Sequence, residues 1–158
     1  GDVYKRQAQE RLQGYRSAYE KENLPVRESL IYHGDYTIQG GVRGIEKLVA
    51  DNPDMTAVFV TNYEMTMGAV IGMNELDLKI PEQLSMIGFD NLQFARACSP
   101  KLTIVAQPTS GIAREVASIM LKRLGEAESE ETEPITEKLG AEIIMGKSVR
   151  VLKEKENS

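Results

Sequence analysis

Three side chains with hydrogen-bonding or stacking chemistry recur at similar intervals along the sequence. Tyr36, Asn62 and Asp90 each follow a short run of apolar and β-branched residues, and the spacings between them are 26 and 28 residues. Such spacings are typical of one strand-plus-helix unit. Parallel strands deliver their carboxyl ends to the same edge of a sheet, so we expect the three side chains to converge on one crevice.

These residue types suit a polyhydroxylated ligand. An asparagine amide both donates and accepts hydrogen bonds, and an ionised aspartate accepts them from two hydroxyl groups. A tyrosine ring stacks on the apolar face of a sugar ring. An alternative stays open, because Asn and Asp after a strand also cap helices or form turns, and Tyr36 could be a core aromatic residue.

The apolar periodicity predicts the elements that must position these residues. Predicted strands over residues 28–32, 56–60 and 84–87 alternate with predicted helices over 41–50 and 64–76. This β-α-β-α-β order implies parallel strands joined by right-handed crossovers. Further helices over 8–23 and 112–124 and strands over 102–106 and 141–145 flank this unit.

The ends of the chain and one internal stretch do not fit regular elements. Residues 1–7 are interpreted as a non-native or disordered end, and residues 8–158 as one domain. The acidic residues 126–137 are interpreted as a solvated loop, followed by a terminal strand region over residues 138–152.

Composition excludes several classes of function. A chain of 158 residues with 41% hydrophobic and 27% charged residues is typical of one soluble domain, and its net charge of −5 argues against direct DNA binding. No apolar run approaches the ~20 residues of a membrane helix. Cys98 and His33 are the single cysteine and histidine, so neither a disulfide nor a Cys/His zinc cluster is expected within the chain.

Catalytic and phosphate-binding motifs were also weighed. The sequence lacks G-x-S-x-G, H-E-x-x-H and a convincing acid pair, so we expect neither an enzyme nor a cofactor or metal. The glycine run over residues 40–44 does not have the spacing of a nucleotide-binding loop. We therefore interpret it as a helix start that glycine permits.

Four motifs in register resemble the LacI/GalR family of transcription regulators. Residues 80–91, IPEQLSMIGFDN, resemble the strand and loop that have the sequence VPEDISVIGFD in family members. Residues 56–69 are similar to TAIFAxNDxMAxGA, and residues 100–108 to PxLTTIxQP. Arg11, with Gly14 and Ala18, resembles RxxGFxxA.

The resemblance implies an α/β fold: a Rossmann-like parallel sheet with helices on both faces, forming most of one lobe of a type I periplasmic-binding-protein-like domain. Residues 8–108 would form mainly the carboxy-terminal lobe, and residues 109–124 a helix that returns to the missing first lobe. The implied effector contacts are Arg11, Tyr36, Asn62, Asp90 and, near the hinge, Gln107.

By resemblance, the chain binds a small, sugar-like effector, forms a homodimer and works in the cytoplasm. Operator DNA would be contacted only through an amino-terminal domain that this chain lacks, and no membrane is involved. Residues 64–76 and 94–98 resemble the surfaces through which family members pair. Two rivals stay open: a periplasmic sugar-binding protein of a transport system, and an enzyme acting on sugars or nucleotides.

The sequence departs from the family pattern at three positions. Tyr63 stands where most members have aspartate, and Thr66 where they usually have alanine. Gly146 replaces the arginine of a terminal RxS motif, whose serine is kept as Ser148. The change at Tyr63 makes the identity of the effector unsafe to transfer from the family.

Overall fold

A computed structural model of the chain describes residues 2–125 and 135–151, with side chains from Lys5 onward. This part contains five α-helices and four strands. In chain order they are α1 (Asp2–Lys21), α2 (Ile38–Asp51), β1 (Ala57–Phe59), α3 (Tyr63–Glu75), β2 (Ser85–Phe89), α4 (Leu92–Ala97), β3 (Thr103–Ala106), α5 (Thr109–Gly125) and β4 (Glu142–Ile144).

The strands form one sheet in the order β1-β2-β3-β4. β1 pairs with β2 and β2 with β3 in parallel, whereas β4 runs antiparallel to β3. The predicted α/β fold with a mainly parallel sheet is confirmed.

Helices lie on both faces of this sheet. Successive strand residues point to opposite faces. A Cβ on Gly88 would touch Thr66 of α3, whereas the next residue, Phe89, lies under Arg11 of α1. α3 and α1 therefore cover opposite faces of β2.

The core lies between the α3 face of the sheet and the helices α2, α3 and α4. Its fully buried apolar side chains include Ile45 from α2, Met73 from α3, Met86 from β2 and Ile104 from β3. The spacing of the apolar residues in the predicted helices and strands anticipated this face.

Close packing of α2 against α3 explains Gly41, within the glycine run of residues 40–44, and Gly68 of α3. A Cβ on Gly41 would overlap the Met65 carbonyl oxygen, and one on Gly68 would overlap the Ile38 carbonyl oxygen. No described glycine has a positive φ. These glycines are thus needed for space between two helices, and our interpretation of a glycine-permitted helix start is wrong in its reason.

The predicted strand over residues 28–32 is wrong. Glu28–Leu30 form a 3-10 turn instead. Hydrogen bonds to the buried side chain of Asn52 explain the difference: its amide nitrogen donates to the Ser29 carbonyl at 2.9 Å, and its oxygen accepts from the Ser29 hydroxyl at 2.8 Å and from Arg27 at 3.1 Å. These bonds hold the segment to the turn between α2 and β1, and Phe59 of β1 stays 42% exposed.

Element boundaries also differ from the predictions. α1 begins at Asp2, so residues 2–7, which we interpreted as a non-native or disordered end, form its first turns. α5 begins at Thr109, three residues earlier than predicted. Residues 126–134 of the predicted acidic loop lie outside the described residues.

The segment that ends the described chain holds the beginnings of β2 and β3 together. The Ser148 hydroxyl donates to the Met86 carbonyl at 2.6 Å and accepts from the Thr103 N–H at 2.8 Å. The Ser148 carbonyl accepts from the Met86 N–H at 2.8 Å. Ser148 is fully buried, so its hydroxyl has no water to replace these partners.

Replacement of Ser148 by alanine should therefore destabilise the fold. The Ser148→Ala change leaves the buried Met86 carbonyl and Thr103 N–H without a partner, at a cost of about 2 kcal/mol or more. Urea unfolding followed by circular dichroism measures this free energy. The matched control is Ser118→Ala on the exposed side of α5, which should change it by less than about 0.5 kcal/mol. Equal losses in the two variants would contradict the role of Ser148.

Candidate functional site

The carboxyl ends of β1, β2 and β3 bring three of the predicted contact residues to one edge of the sheet, and α1 brings a fourth. Asn62 follows β1, Asp90 follows β2 and Gln107 follows β3. Arg11 reaches the same edge from α1, where its guanidinium donates to the carbonyl oxygen of Thr61 at 2.7 Å.

Arg11 is held by a second contact at this edge. Its guanidinium carbon lies 4.0 Å from the centre of the Phe89 ring, a cation–π arrangement. The side chain is half-buried. Because one nitrogen is engaged by the Thr61 carbonyl, the remaining N–H groups of this five-donor side chain are the ones a ligand can use.

Asn62 is a helix cap. Its side-chain oxygen accepts a hydrogen bond from the Met65 N–H at 3.0 Å and thereby caps α3. The Thr66 hydroxyl donates to the Asn62 carbonyl at 2.7 Å and accepts from the Phe89 N–H at 3.2 Å. The cap uses only the oxygen of the Asn62 amide, so capping leaves its NH₂ donors for another partner.

Asp90 and Gln107 form a pair across the ends of β2 and β3. The Asp90 carboxylate accepts from the Gln107 backbone N–H at 3.0 Å and from its side-chain nitrogen at 2.5 Å. Asp90 and Asn91 have φ of 56° and 45°, in the left-handed region that Asp and Asn tolerate better than most residues. Asn91 also caps α4 by accepting from the Phe94 N–H at 2.8 Å.

Tyr36 stands at the loop before α2. Its φ is 63° and its side chain is 41% exposed, so it is not a core aromatic residue. Asp35 fixes this loop: its carboxylate accepts from the Thr37 hydroxyl at 2.7 Å and from Arg43 at 2.6 Å. Hydrogen bonds from Thr37, together with the nearby Arg43 charge, lower the pKa of Asp35 below its ordinary value.

The five predicted residues divide between two neighbouring depressions. Arg11, Tyr36 and Asn62 line a cavity of about 440 Å³ between α1, β1 and the segment before α2, which we call the α1 cavity. Asp90 and Gln107 line a second depression, here called the Asp90 hollow. The predicted single crevice is thus divided in two, and the division falls between Asn62 and the adjacent Tyr63, which lines the Asp90 hollow.

Sequence reasoning did not assign Phe89 or Thr66 a place in this site. Phe89 is 7% exposed and supports Arg11, while Thr66 is 1% exposed and ties β2 to the start of α3. The alternation along β2 could have placed Phe89 on the face opposite the core. The unusual threonine at position 66 was a visible signal, but its hydroxyl partners depend on how α3 packs against β2.

Two other singled-out residues lie away from a reactive arrangement. Cys98 packs against the core, where burial raises the pKa of its thiol. His33 is exposed and lines the α1 cavity. Across residues 2–125 and 135–151, no group of three His, Cys, Asp or Glu side chains is arranged to hold a metal ion, and no helix is long and apolar enough to cross a membrane.

Comparison with known proteins identifies the family. The sequence profile of the periplasmic binding protein-like domain matches residues 1–149. Catabolite control protein A of Priestia megaterium is 37% identical over 112 residues, which are 71% of this chain and 34% of that protein. The HTH-type transcriptional repressor PurR of Vibrio cholerae is 35% identical over 130 residues, 82% of this chain and 39% of that protein.

Solved structures agree with the sequence relatives. A transcriptional regulator CelR in complex with cellobiose superposes with a TM-score of 0.78 at 32% identity, covering 88% of this chain and 42% of that one. A LacI family transcriptional regulator from Enterococcus faecium with bound ribose gives a TM-score of 0.78 at 29% identity, covering 90% of this chain and 52% of that one.

The chain spans between a third and two fifths of the curated relatives it matches. Both curated relatives are transcription regulators, which favours our main interpretation over a transport protein. The chain therefore belongs to the periplasmic binding protein-like domain family, in the form found in LacI-type transcription regulators.

Proposed function

We propose that the chain is the effector-binding part of a ligand-responsive transcription regulator and that its effector is a sugar or a related polyhydroxylated metabolite. The observation that carries the proposal is the Asp90–Gln107 pair beside Arg11 and Asn62, at the edge where parallel strands end. The relatives solved with cellobiose and with ribose support the class of ligand.

Each side chain retains hydrogen-bonding capacity for hydroxyl groups. A carboxylate has about four lone-pair positions, and Gln107 occupies one on each oxygen of Asp90. The NH₂ group of Asn62 and the remaining N–H groups of Arg11 supply donors. The exposed ring of Tyr36 offers a face on which a sugar ring can stack.

The Asp90–Gln107 pair also suggests how binding is transmitted. Gln107 immediately precedes Pro108 and α5, the helix that we propose returns to the first lobe. An effector that bridges Asp90 and the first lobe would bind one relative lobe orientation more tightly and so increase its population. In a dimer, this shift would change the spacing of two DNA-reading heads on their half-sites.

The partners that we propose, a second copy of the chain and operator DNA, are those of the family. Exposed apolar side chains on α3 and α4, namely Ile71, Leu76 and Leu92, are candidates for the homodimer contact. Operator DNA would be contacted by an amino-terminal helix-turn-helix outside this chain, in the cytoplasm. The net charge of −5 fits a chain that does not itself neutralise phosphates.

Two rivals make different predictions. A periplasmic binding protein of a transporter would carry a signal peptide upstream of the matched region, whereas a regulator carries a helix-turn-helix there. An enzyme acting on sugars would show turnover that Asp90→Ala abolishes. The curated relatives described above are regulators, so neither rival is favoured.

Removal of either charged side chain should weaken effector binding. In the full-length regulator, Asp90→Ala or Arg11→Ala should reduce affinity roughly tenfold or more, about 1.4 kcal/mol, because each removes charged hydrogen bonds to the ligand. Isothermal titration with the tightest binder from a sugar panel that includes cellobiose and ribose measures this loss.

Matched controls separate this effect from general damage. Arg6→Ala lies on the same helix as Arg11 in an exposed position, and Asp51→Ala removes an exposed aspartate at the far end of α2. Both controls should retain affinity. Unchanged affinity in both Asp90→Ala and Arg11→Ala would refute the proposed site.

The chain alone should not recognise an operator. The proposed function assigns DNA reading to a separate helix-turn-helix, and the net charge of the chain is negative. We therefore expect no measurable shift of operator DNA in a gel at moderate salt. The full-length regulator is the positive control. Sequence-specific binding by the 158-residue chain would contradict the division of labour proposed here.

A further inference from the structure

The α1 cavity extends beyond the groups assigned to a polyhydroxylated ligand. Arg11 and Asn62 line it together with apolar side chains from α1 and the sheet. Its volume of about 440 Å³ falls within the range of small-molecule sites. The hydroxyl groups of a sugar ring make no hydrogen bonds to these apolar walls.

The apolar walls favour an aromatic or alicyclic group. Leu12 and Tyr15 of α1 face Ile87 of β2 and Phe59 of β1 across the cavity. The rings of Tyr15 and Tyr19, which also line the cavity, lie 4.8 Å apart and are tilted by 50°, so this wall already contains an aromatic pair. Burial of apolar surface here would add to the affinity of any ligand bound at Arg11.

The side chains that line the cavity favour an uncharged group there. Among the described residues that line it there is no carboxylate to accompany a cation. The Thr61 carbonyl and the Phe89 ring hold Arg11 in place, and its remaining N–H groups are assigned to the polyhydroxylated part of the ligand. Burial and the neighbouring Tyr19 raise the pKa of Tyr15 to about 12, so its hydroxyl stays protonated and uncharged at neutral pH. A charged group against the apolar walls would lose its hydration without compensation.

We propose that the effector carries an uncharged aromatic or alicyclic group that enters the α1 cavity while its polyhydroxylated part stays at Arg11 and Asn62. The chemical class is a glycoside with an apolar aglycone. The inference rests on the proposed function, since the polar part is the sugar-type ligand described above. Continuity of the cavity with Arg11 and Asn62 is the observation that joins the two parts.

A competing occupant is the chain itself. Ile31 through Gly34 lie beside β1 and line the cavity, and β1 pairs only with β2 among the described strands. If this segment closes on β1 in solution and fills the space, no ligand enters, and the proposal is wrong.

The first test uses 2-naphthol as an uncharged aromatic probe of the 158-residue chain. Titration followed by ¹⁵N–¹H NMR should shift the amide signals of Leu12, Tyr15 and Ile87. The Leu12→Trp change should fill the cavity and weaken binding roughly tenfold or more. Gln13→Trp, at the neighbouring exposed position of α1, should retain the affinity.

A second filling variant guards against misfolding of the first. Ile87→Phe fills the cavity from the sheet side, and dispersed spectra identify which variants are folded. Absence of shifts up to the solubility limit of 2-naphthol would overturn the proposal. Equal binding by the original chain and by a folded filling variant would overturn it as well.

The second test joins the two parts of the ligand. In the full-length regulator, 2-naphthyl β-D-glucopyranoside should bind roughly tenfold or more tightly than methyl β-D-glucopyranoside. Equal affinities would overturn the inference and leave the proposed function standing. If 2-naphthol alone binds as tightly as its glucoside, the sugar-type function fails together with the inference.

Discussion

The hydrogen bonds between Asp90 and Gln107 join the end of β2 to the point where the chain leaves β3 for α5. This contact is possible because parallel pairing of β2 with β3 sets their carboxyl ends side by side. Asp90 adopts a left-handed backbone conformation here, and the next residue, Asn91, caps α4. The same pairing places Phe89 under Arg11, so the position of the candidate site follows from the sheet.

Much of the fold could be predicted from the sequence because its signals are local. The apolar spacing of α2, α3 and α5 and the β-branched runs of β1 and β3 follow from chain periodicity alone. The strand expected over residues 28–32 failed because its conformation is decided by Asn52, more than twenty residues away along the chain. The glycines of α2 were likewise interpreted as a conformational requirement, whereas Gly41 is small because α3 packs against it.

The sequence suggested members for the candidate site, which stay a prediction, but it did not suggest their arrangement. Topology suggested Tyr36, Asn62 and Asp90, and the family resemblance added Arg11 and Gln107. Asn62 fits both the helix-cap and the ligand-contact interpretation, because its oxygen caps α3 and its NH₂ group remains a donor. The division into two depressions depends on how α1 and the segment before α2 pack, which no periodicity encodes. That packing also creates the apolar space from which the aglycone was inferred.

The most direct test of the central claim is a crystal structure of the full-length regulator with its effector bound. The account predicts ligand hydroxyl groups within hydrogen-bonding distance of the Asp90 carboxylate and the Asn62 amide, with Arg11 alongside. An effector bound elsewhere, with the Asp90–Gln107 pair untouched and Arg11 still directed only at Thr61, would contradict it.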